Sequence, residues 1–145
     1  MKKLFLILAM ALMYAGASAQ TFNGLEMAKV LNGKITIGTL SKKLVAEGFR
    51  KQTNNDGQIE FWSPDCCLTI TPVGGGYLPE VMCYSEAAMN EIMAPVLANG
   101  YKCTDKLNRE EWMYTKPNCV SFHMYIGPRG YFCIDMAPPG AWIER

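Results

Sequence analysis

The sequence predicts an α+β fold: two tandem helix-plus-four-strand repeats, an antiparallel sheet, and helices on one face of that sheet. Three observations lead there. The chain matches itself when slid by 52 residues, apolar residues recur at helical spacing ahead of each matching stretch, and the segments that follow alternate apolar with polar side chains.

The self-match runs in order. Gly48-Phe49 falls on Gly100-Tyr101, Phe61-Trp62 on Met113-Tyr114, and Cys67-Leu68-Thr69-Ile70 on Cys119-Val120-Ser121-Phe122. Two extra residues near Gly74-Gly75-Gly76 then bring Cys83 onto Cys133 at an offset of 50. A glycine–aromatic pair, an apolar strand and two cysteines in sequence favour duplication over chance.

Each copy opens with a helix. In the first, Leu40, Leu44 and Val45 form the apolar stripe, Thr39 or Ser41 is placed to cap it, and Gly48 stops it. The second runs from about Ser85 to Asn99 on Met89, Ile92, Met93, Val96 and Leu97, and Gly100 ends it. Pro95 removes the donor to the carbonyl of Glu91, so a kink or a division is expected there. The methionines read as core.

Strands follow. The first copy gives Phe49–Gln52, Gln58–Trp62, Cys66–Val73 and Val81–Tyr84, with Asp56-Gly57 as a hairpin signal. The second gives Tyr101–Thr104, Glu111–Thr115, Val120–Ile126 and Tyr131–Met136, with Gly127-Pro128-Arg129-Gly130 as its last turn. Val120, Phe122, Met124 and Ile126 alternate with Ser121, His123 and Tyr125, the pattern of a half-buried strand. Ahead of the first copy, Leu25–Leu31 reads as one or two helical turns and Ile35-Thr36-Ile37 as a short strand. Behind the second, the tail with Pro138-Pro139 and Trp142 reads as extended.

The amino terminus has its own logic. Lys2 and Lys3 precede an apolar run from Leu4 to Tyr14, and Ala17-Ser18-Ala19 fits a signal-peptidase site with Gln20 as the new terminus. The stretch is short for a spanning helix, which needs about 20 apolar residues. The chain therefore divides into a signal peptide (1–19), an N-terminal region with the first repeat (20–84), and the second repeat with its tail (85–145). The expected location is secreted or periplasmic, with no membrane span after cleavage. Without Lys2 and Lys3 the 14 basic residues fall to 12 against 13 acidic ones, a balance with no footprint for nucleic acid.

All six cysteines lie after the cleavage point, and an even count in an exported chain favours disulfides. There is no C-x-x-C, and His123 is the single histidine, so neither a zinc site nor a thioredoxin-like site is expected. A hairpin closing around Gly75 sets Cys67 opposite Cys83. In the second copy Cys119 meets Cys133 only across a looser hairpin centred near Ile126. A Cys66–Cys103 bridge would then tie the copies together.

Chemistry-bearing patterns are sparse. His123 shares a face with Ser121 and Tyr125, and Asp135 joins them only if the intervening loop has an odd number of residues. A general base would need that carboxylate and a nucleophile nearby, and no nucleophile motif accompanies it. Gly74-Gly75-Gly76 lacks the following helix and Lys-Ser/Thr of a phosphate loop. No cofactor and no metal are expected. The aromatics point to recognition instead. If Met113 faces the core, Trp112 and Tyr114 face outward, and with Tyr125 they form a candidate binding surface for a protein or glycan. If the tail or the other copy covers that face, they are core.

The signal peptide ending in Ala17-Ser18-Ala19-Gln20, the stretch Asn32-Gly33-Lys34-Ile35-Thr36-Ile37-Gly38-Thr39-Leu40 and the Leu44 to Gly48-Phe49 helix end together resemble a group of small exported bacterial proteins of unknown function. That resemblance implies no activity and no site residues. In architecture alone, the tandem helix-plus-four-strand plan is similar to that of β-lactamase-inhibitory proteins, and that likeness implies a concave, aromatic-rich sheet face that grips a protein. The leading expectation is an exported non-catalytic binding module. The alternatives are an envelope hydrolase using His123 and a structural envelope protein.

Overall fold

The computed structural model describes residues 22–138. The expected signal peptide, its cleavage point and Trp142 lie outside them. Three helices, α1 (Gly24–Leu31), α2 (Ile37–Ala46) and α3 (Glu86–Ala98), accompany eight strands. These are β1 (Arg50–Thr53), β2 (Ile59–Trp62), β3 (Cys66–Val73), β4 (Gly76–Cys83), β5 (Lys102–Asn108), β6 (Glu111–Thr115), β7 (Ser121–Ile126) and β8 (Phe132–Ala137). All eight form one antiparallel sheet in the order β1-β2-β3-β4-β8-β7-β6-β5, so the fold is α+β. Each set of four is a meander, and the meanders join where β4 pairs β8.

Side-chain oxygens start the helices where backbone donors would otherwise be orphaned. Asn23 accepts from the amide of Leu25 at 2.9 Å, Thr36 from that of Thr39 at 3.1 Å, and Ser85 from that of Ala88 at 3.1 Å. Thr36 corrects two expectations. The cap of α2 is neither Thr39 nor Ser41, and Ile35-Thr36-Ile37 is no strand, because Ile37 is already the first residue of α2. The alternation of two isoleucines about a threonine fits a strand, but a threonine three residues before another donor also fits a cap, and the longer helix wins. Pro95 does not divide α3. It sits in the last turn, where the bonds from the Asn99 and Gly100 amides still close the helix, so a single missing donor is tolerated. Gly48 and Gly100 follow α2 and α3 with φ of 95° and 88°, a conformation open to glycine and costly for other residues.

The core lies between the helices and one sheet face. Met27 and Val30 of α1, Leu40 and Leu44 of α2, and Met89, Ile92 and Val96 of α3 pack with Phe61, Leu68, Ile70, Val81, Phe122, Met124 and Ile134. Phe22, Phe61 and Phe122 are fully buried. Each such side chain contributes roughly 1.5–3 kcal/mol relative to an exposed one. The apolar face expected for Val120, Phe122 and Met124 is the face that packs here, and the α3 methionines are core.

Register decides the fate of the cysteines. In the β3–β4 hairpin Val73 faces Gly76 across Gly74 and Gly75, both with positive φ. Two such residues close the tightest hairpin. The turn is therefore one residue shorter than a hairpin centred on Gly75, and Cys66, not Cys67, faces Cys83. A one-residue slip moves every side chain to the other face. The expected Cys67–Cys83 pairing is thus overturned: Cys67 faces Met82 on the side away from the helices. Cys133 faces Tyr125, while β7 begins at Ser121 opposite Ala137, so Cys119 does not meet Cys133. Cys103 is exposed on the edge strand β5, five strand spacings from β3. At about 4.8 Å per spacing that distance excludes a Cys66–Cys103 bond.

Candidate functional site

The sheet face away from the core carries none of the described helices. Direct Cα partners mark a row across seven strands: Arg50, Trp62, Cys67, Met82, Cys133, Tyr125 and Glu111. A second row beside it holds Glu60, Thr69 and Glu80 in one half and Asp135, His123 and Met113 in the other. Continuing the first row's alternation along β4 and past the start of β8 places Tyr84 and Tyr131 on the same face. Their rings meet edge to face at 5.2 Å.

Several of these groups are fixed in place. The indole Nε1 of Trp62 donates to Glu60 Oε2 at 2.9 Å. Tyr125 donates from its hydroxyl to Glu80 Oε1 at 3.4 Å, and its ring stacks on His123 at 5.1 Å. His123 Nδ1 lies 3.2 Å from Asp135 Oδ1. The intervening loop runs from Gly127 to Tyr131, five residues, which meets the odd-number condition for a shared face. Beside Trp62, a shallow cavity of about 430 Å³ is lined by Arg50, Lys51 and Gln52.

Electrostatics argue against a cysteine nucleophile here. Burial pushes the Cys133 thiol up, and the charges of Glu80 and Asp135 add to it, while the nearby polar groups of Tyr125 and Gly127 oppose the shift. Burial likewise takes the Cys67 thiol to about 11. A catalytic cysteine needs the opposite shift. Tyr125 is also pushed up, by burial first and by Glu80 next, so its hydroxyl stays a neutral donor. Among the described residues no cluster of three or more His, Cys, Asp or Glu side chains could hold a metal ion.

The sequence-predicted residues separate. Trp112 faces Met124 and Tyr114 faces Phe122, and both are half-buried against the core. Their outward presentation is overturned, because it required Met113 to face the core, and Met113 faces His123 on the other side. Tyr125 lies on the face that carries none of the described helices, as its alternation with Met124 implies. Trp62 is the residue the sequence reading underweights. Its signal is its pairing opposite Cys67, two positions from Glu60 on the same face.

No family model, curated protein or solved structure matches this chain. No helix among the described residues is long and apolar enough to cross a membrane.

Proposed function

We propose that this chain, exported and cleaved behind Ala19, is a non-catalytic binding module that grips a protein or glycan partner with the sheet face that carries none of the described helices. The observation that supports it is the row from Trp62 to Tyr125, flanked by the Tyr84–Tyr131 pair. Half-buried aromatics with polar tips, on a rigid sheet, provide contact area at low cost in side-chain entropy. Their surroundings are held by hydrogen bonds, so little ordering remains to be done on binding. The test is capture from envelope extract and on a glycan array by the mature protein. Retention of a defined partner supports the reading, and retention of none by a folded sample opposes it.

One observation favours a second reading. The His123–Asp135 bond is the orienting half of a hydrolytic site. The thiols of Cys133 and Cys67 on the same face are raised by burial instead of activated, which favours the binding reading. Turnover of an envelope substrate by the mature protein, abolished in His123→Ala, would reverse that preference.

A further inference from the structure

We propose that Cys66 and Cys83 close a disulfide that staples β3 to β4 inside the core. The two residues are direct cross-strand partners, and neither has any exposed surface. The backbone between them fixes the kind of pair they form. Tyr84 donates its amide to the carbonyl of Asp65 at 3.0 Å. These are the neighbours just outside the pair, so Cys66 and Cys83 form a pair with no backbone hydrogen bond directly between them. Side chains approach most closely at such sites, with Cα atoms about 4.5 Å apart. That separation lies within the roughly 4.4–6.8 Å span of disulfides.

The other cysteines have no such partner. Cys67 and Cys133 share the opposite face but are separated by Met82, a full strand between them. Cys103 is exposed on β5. Burial also pushes the Cys83 thiol up to about 12, and the adjacent Cys66 adds to that. Neither residue has exposed surface in the folded chain, so exchange with an external disulfide requires the chain to be open there.

The chemistry is ordinary exchange with an external disulfide, either that of an oxidoreductase in the receiving compartment or of oxidised glutathione. One thiolate attacks the external disulfide and expels a thiol, giving a mixed disulfide. The second thiolate displaces the remaining half. The chain loses two electrons and two protons, and the oxidant leaves as two thiols.

The test uses the mature chain, reduced and unfolded, then refolded in a buffer of reduced and oxidised glutathione. Remaining thiols are blocked with iodoacetamide, and the chain is mapped without reduction. The expected result is a two-dalton loss with the peptide of Cys66-Cys67 joined to that of Cys83, retained in Cys67→Ser and lost in Cys66→Ser. Because mapping is done on unfolded chain, a poorly folding variant still reports its linkage. Cys83 recovered alkylated in the refolded parent, or joined to Cys67, Cys119 or Cys133, would overturn the proposal.

Discussion

His123 and Asp135 face each other across β7 and β8, and their side chains meet at 3.2 Å. His123 also stacks on Tyr125, whose hydroxyl reaches Glu80 on β4. The contacts thus bridge the strands at the junction of the two meanders. Removing either member of the pair should destabilise the fold, since the other stays at least partly buried beside a lost contact. A double-mutant cycle on His123→Ala and Asp135→Ala, read by urea unfolding, should give a coupling of about 0.5–3 kcal/mol. Additive effects would mean that the contact contributes nothing.

Gly24 of α1 leaves no room for a side chain. A methyl group there would collide with the Val96 side chain and crowd the Phe122 ring and the carbonyl of Ile92. Alanine is the better helix former by about 1 kcal/mol. Overpacking costs about 1–3 kcal/mol, so the collision should win. Gly24→Ala is expected to lower the thermal midpoint, and an unchanged or raised midpoint would show that α1 shifts freely.

Tyr101 makes alkaline stability a sensitive readout. It lies edge-on to Phe122 at 5.1 Å, and burial, with a smaller effect of Cys119, pushes its phenol from 10.0 to about 12. The folded value lies above the unfolded one. Its contribution is therefore complete below pH 10 and is lost as pH rises through about 12. The unfolding midpoint should fall across that window, and less steeply in Tyr101→Phe than in the parent. Parallel slopes would remove Tyr101 from the account.

The architecture was legible because helices and strands announce themselves by period. Met89, Ile92, Met93 and Val96 of the α3 stripe and Val120, Phe122 and Met124 of the alternation through β7 lie in the core, whereas Leu97 at the end of the stripe is exposed and Ile126 lies outside the core cluster. What failed was the choice of face where the pattern is ambiguous. Glu111–Thr115 puts Trp112 and Tyr114 on one side and Met113 on the other, so both sides can be buried, and only pairing with β7 decides. Three glycines in a row leave the turn centre open by one residue, and that residue sends Cys67 to one face and Cys66 to the other. The Thr36 cap is not legible in the sequence, because a side chain that caps a helix looks there like one that lines a strand. The binding face inherits these ambiguities: Tyr125 follows from alternation, whereas Trp62 needs the register of β2 against β3.

The central claim is that the face bearing Trp62 and Tyr125, and not the helix side, carries the contact. The direct measurement is the affinity of the captured partner for the parent, Trp62→Ala, Tyr125→Ala and Lys42→Ala, each first shown to unfold cooperatively. Lys42 is an exposed residue of α2 and serves as the helix-side control. Trp62→Ala and Tyr125→Ala should each weaken binding by about 1–3 kcal/mol, roughly 5- to 150-fold, while Lys42→Ala matches the parent. Equal affinity of all four proteins, or a loss confined to Lys42→Ala, would contradict it.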